Sequence, residues 1–351
     1  MLKIPDIGQF AKVPSAVQAI VDENLARLGR LRGLDVNAPI ALDEDISETP
    51  LHLAIVLARG RVVEWLLARG VDLNAKGSPS ILSAARYGDA KLLRKLAAAG
   101  ANVHAVNSVG SDAFEAALAG KRHANLPVLE ALGHTAEKYG GGAFRSAVFD
   151  GDRAAVEFFL AHGVDVNHQK ADQVFPNRES PLCVATRNGD LRMVKRLVEA
   201  GADLSIRERG GQRPYDIALE ENHDALREYI RSVEPASLHS QAARRRALAP
   251  FALPPSAVAL MKRGAHRLPL PGSPFRFLEL YPLLDAVPLT FGRKKLLRIS
   301  RATGDYTDIV FVWDPKTKKV AALDQEHEEL TQLASFDDFL REPGRYLDKL
   351  F

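Results

Sequence analysis

The sequence predicts a mostly α-helical chain in which a solenoid of stacked helix pairs is followed by a small α+β domain. Two observations lead to this prediction. A phrase built around a helix-ending glycine recurs over the first part of the chain, and from residue 253 onward prolines and strand-like runs replace it. A single short helix pair cannot bury its apolar face alone, so the copies are expected to stack against one another.

The clearest copy of the repeated unit spans residues 49–76. It opens with TPLHLA, in which Pro50 lies in the first helical turn, where its missing N–H is no loss. The next segment, VVEWLL, carries apolar residues at helical spacing. Gly70 then supplies the positive φ that ends a helix, and the phrase VDLN turns the chain outward.

The helix-ending glycine recurs as Gly100, Gly163 and Gly201, at intervals of 30, 63 and 38 residues. These intervals correspond to one repeat, two repeats, and one repeat with an insertion. The related phrases ANVH, VDVN and ADLS follow these glycines. The pattern resembles the ankyrin repeat over about residues 34–234. The resemblance implies a right-handed ankyrin-repeat solenoid whose concave side binds protein.

We predict a solenoid over residues 1–234, a linker over 235–252 and a small α+β module over 253–351. The solenoid is expected to begin with a capping unit at 15–40 and to contain about six repeats. A helix is predicted over 15–32 with Ser15 as a candidate cap. The third repeat, about 108–138, is degenerate, and an irregular turn is expected at its end, over residues 138–142.

The C-terminal module contains three strand-like runs, 295–300, 308–313 and 319–323. Residues 314–317, DPKT, predict a hairpin turn between the last two runs. Residues 335–340, SFDDFL, predict a capped helix start. This order resembles the C-terminal half of the SUKH superfamily, whose members often end in such a helix, although the glycine-rich turn of that family is missing here.

Charge and cysteine content exclude several classes of protein. Residues 1–234 hold 29 Lys and Arg against 31 Asp and Glu, so no basic face for nucleic acid is indicated. One cysteine excludes an internal disulfide framework and any multi-cysteine zinc site. No secretory signal and no run of 18 apolar residues is present, so we expect a cytoplasmic protein that does not span a membrane.

No catalytic, cofactor or metal site is predicted. His52 belongs to the TPLH phrase and is expected to hold neighbouring turns by hydrogen bonds. Cys183 lies in a first helix, where a buried thiol is inert. His327 lies in an acidic loop that lacks the second histidine of a zinc-peptidase motif. An enzyme hidden in the module remains a third function class, and it would require a concave site that gathers Asp314, Asp324 or His327.

The positive functional signal is a surface. In an ankyrin stack, the hairpin tips and the exposed ends of the first helices line a concave groove, where tyrosine and arginine commonly anchor partners. An insertion over 168–179 is expected to extend the same edge. The predicted partner-binding residues are Lys76, Arg86, Tyr87, His104, Asn107, Phe149, Asp150, Phe175, Asn177, Arg178, Arg187, Asn188, Arg207 and Arg209.

Both resemblances imply a binding function without catalysis. SUKH proteins and ankyrin proteins both recur as antidotes to bacterial toxins, which implies an immunity protein that neutralises a cognate toxin by steric occlusion. The alternative is a general ankyrin scaffold that binds an endogenous protein. The sequence indicates neither the identity of the partner nor the oligomeric state.

Overall fold

The computed structural model describes residues 1–209, 211–264, 266–270, 275–304, 308–347 and 350. It separates into two compact units, Met1–His168 and Gln169–Phe351, which we call the first and the second unit. The last two helix pairs of the predicted solenoid therefore belong to the same unit as the α+β module. The division into domains at 235–252 stays a prediction.

The first unit consists of a short N-terminal hairpin and successive helix pairs. The first helices of consecutive pairs pack side by side along the stack. Its elements are strands β1 (Leu2–Ile4) and β2 (Gly8–Phe10), helices α1 (Ser15–Val21) and α2 (Leu25–Arg30), strands β3 (Ile40–Ala41) and β4 (Ser47–Glu48), and helices α3 (Pro50–Val56), α4 (Gly60–Leu67), α5 (Ser80–Tyr87), α6 (Ala90–Ala98), α7 (Ala113–Ala119), α8 (Leu126–Ala131), α9 (Ala136–Tyr139), α10 (Gly141–Phe149) and α11 (Arg153–Ala161), with a 3-10 turn at His123–Asn125.

The helix pairs that precede Gly70, Gly100, Gly163 and Gly201 each end at a glycine with positive φ, which confirms the turn chemistry expected from the sequence. The φ angles of Gly70, Gly100, Gly163 and Gly201 are 68°, 99°, 77° and 91°. Gly133, with φ of 91°, ends the degenerate third repeat in the same way. It lies 33 residues after Gly100, so a glycine at the repeat interval marks the end of the third repeat in the sequence.

Three local predictions in the first unit are wrong. The helix predicted over 15–32 is broken into α1 and α2, because Glu23 has φ of 48° and the Asn24 side chain caps a new helix by accepting from the Arg27 amide. Pro14, not Ser15, lies at the N-cap of α1. The residues expected to form an irregular turn, 138–142, instead form the end of the short α9 and the start of α10, which begins at Gly141.

The second unit contains two further helix pairs, a helical connection and the antiparallel module. Its helices are α12 (Pro181–Arg187), α13 (Leu191–Glu199), α14 (Pro214–Glu220), α15 (Asp224–Val233), α16 (Ala236–His239), α17 (Gln241–Leu248), α18 (Pro255–Met261), α19 (Phe336–Arg341) and α20 (Pro343–Leu347), with 3-10 turns at Ala249–Phe251 and Leu283–Asp285. Its strands are β5 (His266–Pro269), β6 (Phe277–Leu280), β7 (Val287–Phe291), β8 (Lys294–Arg298), β9 (Ser300–Ala302), β10 (Ile309–Asp314), β11 (Lys319–Asp324) and β12 (Glu329–Gln332).

The module is built on a five-stranded antiparallel sheet in the order β12-β11-β10-β8-β7 and a three-stranded sheet in the order β5-β6-β9. The predicted hairpin between β10 and β11 is present, with the Asp314 carboxylate accepting from the amides of Lys316 and Thr317. The predicted start of α19 is also confirmed, because the Ser335 hydroxyl accepts from the Asp338 amide.

Both faces of the larger sheet are buried, which explains the unbroken apolar run of β10. Phe311 and Trp313 pack into one core cluster, and the alternate residues Val310 and Val312 pack into another. The first cluster also includes Leu219 of α14, so the last helix pair and the module share a core. Within the part of the chain that the structure describes, none of the helices combines the length and the hydropathy that a membrane span requires.

The segment expected to be a linker, 235–252, is helical over most of its length. Leu248 and Phe251 are buried in the core cluster of the module. The Phe251 carbonyl also accepts a 2.9 Å hydrogen bond from the indole Nε1 of Trp313. This connection therefore packs as part of the second unit.

Candidate functional site

The outward turns of the first unit are joined by side-chain hydrogen bonds. The Asn37 side chain accepts from the Asp72 amide at 2.7 Å. Asn74 repeats this contact one unit further along, accepting from the Asn102 amide at 2.7 Å and donating to the Gly100 carbonyl at 3.0 Å. Asn37 and Asn74 therefore each fix one turn relative to the next.

The series of asparagine contacts changes at His104, which occupies the corresponding position in the following turn. Its ring stacks on Tyr139 with centroids 4.6 Å apart, and its Nδ1 lies 3.3 Å from Nδ1 of His134. Burial lowers the pKa of His104, and the charges of His134 and Lys138 add to that shift. His134 is fully buried and its Nε2 lies 3.4 Å from the Asp112 carboxylate.

His134 was missed at the sequence level, although a signal existed. It follows Gly133, so it occupies the position of Val71, which directly follows Gly70 in the best repeat. A histidine at an otherwise apolar position of the turn phrase indicates a local specialisation. Here that specialisation is the stacked group His104, His134 and Tyr139.

Three predicted site residues of the first unit, Arg86, Tyr87 and Asn107, line one groove. The groove has a volume of about 240 Å³ and is also lined by His52. The His52 and Tyr87 rings meet edge to face, with centroids 6.0 Å apart. His52 makes the inter-repeat contact expected of the TPLH phrase, because its Nδ1 lies 2.7 Å from the Ser83 hydroxyl. We refer to this surface as the inner groove.

Asp6, in the turn between β1 and β2, binds both Arg86 and Tyr87 of the inner groove. Its carboxylate accepts from Arg86 at 2.8 Å and from the Tyr87 hydroxyl at 2.9 Å. Hydrogen bonds from Tyr87 and Arg86 lower the pKa of Asp6, whereas burial and the bond to Asp6 raise the pKa of Tyr87 to about 12. No sequence pattern links residue 6 to residues 86 and 87, so this contact was not foreseen.

The other predicted residues of the first unit lie outside the lining of the inner groove. Lys76, His104 and Asp150 are exposed. The Phe149 side chain, at the end of α10, is 52 % exposed, and its role in binding stays a prediction. The structure therefore brings together only part of the predicted set.

In the second unit, Arg187 is engaged by carboxylates. Its guanidinium lies 2.6 Å from Glu208 and 3.4 Å from Glu221. Burial raises the pKa of Glu208, and the neighbouring Arg187 opposes that shift. Arg187 and Asn177 line a polar cleft of about 680 Å³, which is also lined by Arg298 and Arg301 of the module. Arg187 therefore has a structural ion-pairing role that the sequence did not indicate.

The remaining predicted residues of the second unit differ in exposure. Phe175 is only 5 % exposed, which corrects its placement on an open edge. Asn177, Arg178 and Asn188 are exposed. The Arg178 side chain donates to the Gln169 carbonyl.

Two further arginines lie near the turn before α14. Arg207 donates to the Gly211 carbonyl and to Asp216. Arg209 lies 3.5 Å from Glu328 of the module, and both side chains are largely exposed. These contacts tie the turn to its surroundings within the second unit.

Nothing in the described part of the chain points to catalysis. Asp314 lies at the β10–β11 turn, whereas Asp324 pairs with Ile309 at the far end of the same hairpin, five residue pairs away. At about 3.3 Å per residue this separates the two carboxylates by roughly 16 Å. Burial raises the pKa of the Cys183 thiol to about 12, so the thiol stays protonated and unreactive.

Comparison with known proteins identifies the repeats. Residues 144–234 match the family described as Ankyrin repeats (3 copies), and residues 47–78 match the family described as Ankyrin repeat. The ankyrin repeat domain of Bcl-3, a unique member of the IkappaB family, superposes with a TM-score of 0.45 and 25% identity, over 54% of this chain and 88% of that chain. The two matched segments are ankyrin repeats, which indicate a protein-interaction module. The resemblance of the C-terminal module to SUKH proteins stays a prediction.

Proposed function

We propose that the chain binds a protein partner through the inner groove of the first unit, with Arg86 and Tyr87 as the anchoring residues. The observation that carries the proposal is the adjacency of these two side chains in a groove between repeats. Arginine and tyrosine are the residue types that most often dominate binding energy at protein interfaces. Neither is sequestered, since the Arg86 side chain is 39% exposed and Tyr87 is half-buried.

Asp6 supports this role by holding both anchors in one orientation. An arginine and a tyrosine that share one carboxylate lose little further rotational freedom when a partner binds. The groove is small, so the partner is expected to extend beyond it onto the exposed residues Lys76 and His104. A stable complex would bury on the order of 1,200–2,000 Å² in total.

The finer form of the proposal is that the partner is a bacterial toxin domain and that this chain neutralises it by steric occlusion in the cytoplasm. Support for this form comes from the resemblance of the C-terminal module to SUKH proteins. The alternative is a scaffold that binds an endogenous protein through the same groove. The two forms differ only in the partner, so the partner's identity decides between them.

The test is capture of partners from native lysate with the full chain as bait, followed by mass spectrometry and titration of the captured protein. Three baits are compared: the wild type, Tyr87→Ala, and Arg94→Ala, which alters an exposed residue of α6 outside the groove lining. We expect Tyr87→Ala to weaken binding by about 30-fold, since an interface anchor contributes about 2 kcal/mol. Arg94→Ala should bind like the wild type.

Equal binding by the three baits would move the interface away from the inner groove. Circular dichroism of each bait excludes unfolding as the cause of any loss, and Arg86→Gln provides a second variant in the same groove that removes the charge but keeps a polar side chain. Recovery of a secreted toxin would support immunity, whereas a housekeeping protein would favour the scaffold.

A further inference from the structure

The second unit contains a cleft that the protein-binding proposal does not use. It has a volume of about 380 Å³ and lies among α14, α15, α17, the end of α18 and the 3-10 turn at Leu283–Asp285. Its size falls in the range of small-molecule sites and is too small for a folded segment of a partner. We call this cavity the basic cleft. Its charged lining residues are Arg213, Arg231, Arg244, Arg245, Lys262 and Asp285.

Arg244 is a buried lining residue of the cleft whose guanidinium donates to uncharged acceptors. The residue is 8% exposed, and its guanidinium donates to the carbonyl oxygens of Leu284 and Ala286. Carbonyl acceptors fix the orientation of the guanidinium without neutralising it. Arg213, by contrast, is paired with Glu234 and lies 3.7 Å from Asp216, so its charge is compensated.

Three further cations of the cleft are not compensated by ion pairs. Within the described residues, no salt bridge joins Arg231, Arg245 or Lys262 to a carboxylate. Asp285 is the acid among the described lining residues, and burial raises its pKa, which weakens its tendency to carry a negative charge. With Arg244, and leaving out the ion-paired Arg213, the basic cleft therefore gathers four cations against one partly buried acid.

Apart from Gln241, the remaining lining residues are apolar or aromatic. Met261, Leu238 and Leu283 line the cleft together with the ring of Tyr215. An apolar wall facing convergent charged groups is the usual arrangement of a site for a charged organic molecule. A fully inorganic ion would leave this wall without a function.

We propose that the basic cleft binds a small organic phosphate, with Arg244, Arg245, Arg231 and Lys262 around the phosphate group and the apolar wall against the organic part. A phosphate monoester carries up to two negative charges and three acceptor oxygens, which suit several guanidinium and ammonium donors at once. A single carboxylate would leave most of these cations unneutralised. The inference is independent of the partner that the inner groove binds.

The chain provides a matched pair of variants for testing this proposal. Arg245 and Arg246 are adjacent exposed residues of α17, yet only Arg245 lines the cleft. Charge reversal at either position changes the net charge of the protein equally. The double variant Arg245→Glu/Lys262→Glu removes two exposed cations of the cleft, and Arg246→Glu is the control.

The experiment is isothermal titration calorimetry of the full chain with adenosine monophosphate, glucose 6-phosphate and citrate, at one ionic strength. We expect saturable binding of at least one phosphate, with citrate weaker. Arg245→Glu/Lys262→Glu should lower the affinity at least tenfold, and Arg246→Glu less than twofold. Arg231→Gln, a milder change on α15, should lower the affinity in the same assay, so the test does not depend on one variant.

Any of three results would overturn the proposal. The first is that no phosphate probe binds at millimolar concentration. The second is tighter binding of citrate than of both phosphates. The third is equal affinity for the wild type, the double variant and Arg246→Glu, which would indicate that the phosphate binds outside the basic cleft.

Discussion

The ankyrin repeats of the first unit and the last repeat of the second unit are held to their neighbours in different ways. In the first unit, neighbouring turns exchange neutral hydrogen bonds through a recurring asparagine, as Asn37 and Asn74 illustrate. In the second unit, the end of α14 meets the module through charges, where Glu220 accepts from Arg298 and Asn222 accepts from Arg301. In the repeats, many similar contacts each contribute a little to stability. At the junction between α14 and the module, we expect a few residues to contribute most of it.

If the junction with the module concentrates stability, removing Arg298 should have the largest effect. Its side chain is 5% exposed, and that of its partner Glu220 is 21% exposed. Arg298→Met leaves Glu220 without its ion pair, which should lower the free energy of unfolding by about 3–5 kcal/mol. The measurement is urea unfolding followed by Trp313 fluorescence in a Trp65→Phe background, which reports on the second unit alone.

The matched control for this variant is Arg267→Met. Arg267 pairs with Glu279, but its side chain is 61% exposed, so we expect a loss of at most about 0.5 kcal/mol. Similar losses for the two variants would show that the buried pair contributes no more than a surface pair, and the contrast between the regions would fail.

The close approach of backbone at the same junction should give the second-largest effect. Gly211 has φ of 85°, and a Cβ at this position would lie 2.0 Å from the carbonyl oxygen of Pro288 in β7. Gly211→Ala should therefore cost about 2–3 kcal/mol in the same unfolding assay, from backbone strain and steric overlap together.

Gly201→Ala separates strain from overlap. Gly201 has φ of 91°, and a Cβ added to it would have no neighbouring atom within 4 Å. Strain alone should then cost about 1 kcal/mol. Equal losses at the two glycines would mean that the backbone at Pro288 moves aside without penalty.

A single turn contact in the first unit should matter less. Asn74→Ala removes two hydrogen bonds to the next repeat, both of them exposed to solvent, so we expect a loss of about 1 kcal/mol. Hydrogen exchange should accelerate at the Asn102 amide, which donates to Asn74. Lys76→Ala, at a neighbouring exposed position, should leave that amide unchanged, and acceleration in both variants would indicate general loosening of the tips.

The repeats could be predicted from sequence because their determinants are local and recur. Gly70 and Gly100 mark helix ends, and Thr49 caps a first helix by accepting from the His52 amide. The end of the degenerate repeat could also be recognised from the sequence, since Gly133 follows Gly100 by about one repeat length. Such signals require only a window of about one repeat, which is why the architecture of these segments was foreseen.

Most of the other unforeseen features depend on pairing between distant residues. The run 295–300 was predicted as one strand, but the chain changes sheets at Ile299: β8 pairs with β7 and β10, and β9 pairs with β6. The apolar pattern of the run does not indicate that the chain changes sheets there. The contacts of Asp6 with Arg86, and of Arg187 with Glu208, are likewise matters of spatial pairing.

The smallest expected effect concerns pH and gives opposite signs for histidines in the two units. Burial, with the charge of Arg86, lowers the pKa of His52 below its usual 6.5, so the unfolded chain binds more protons near that pH. The contribution of His52 is therefore complete above about pH 6.5 and is lost as the pH falls through the folded pKa. His327 has the reverse sign, because its hydrogen bond to Asp324 raises its pKa, and its contribution is lost as the pH rises.

The test follows hydrogen exchange at the α3 and α5 amides of the first unit between pH 7.5 and 5.5, after correction for intrinsic exchange rates. We expect protection to fall on acidification in the wild type and to become flatter in His52→Asn, because the asparagine does not titrate. Burial raises the pKa of the neighbouring Glu48 above 4.5, and protonation of that carboxylate would act in the opposite direction. His327→Asn should leave this slope unchanged, and an unaltered slope in His52→Asn would assign the acid sensitivity to His104, whose pKa is also lowered.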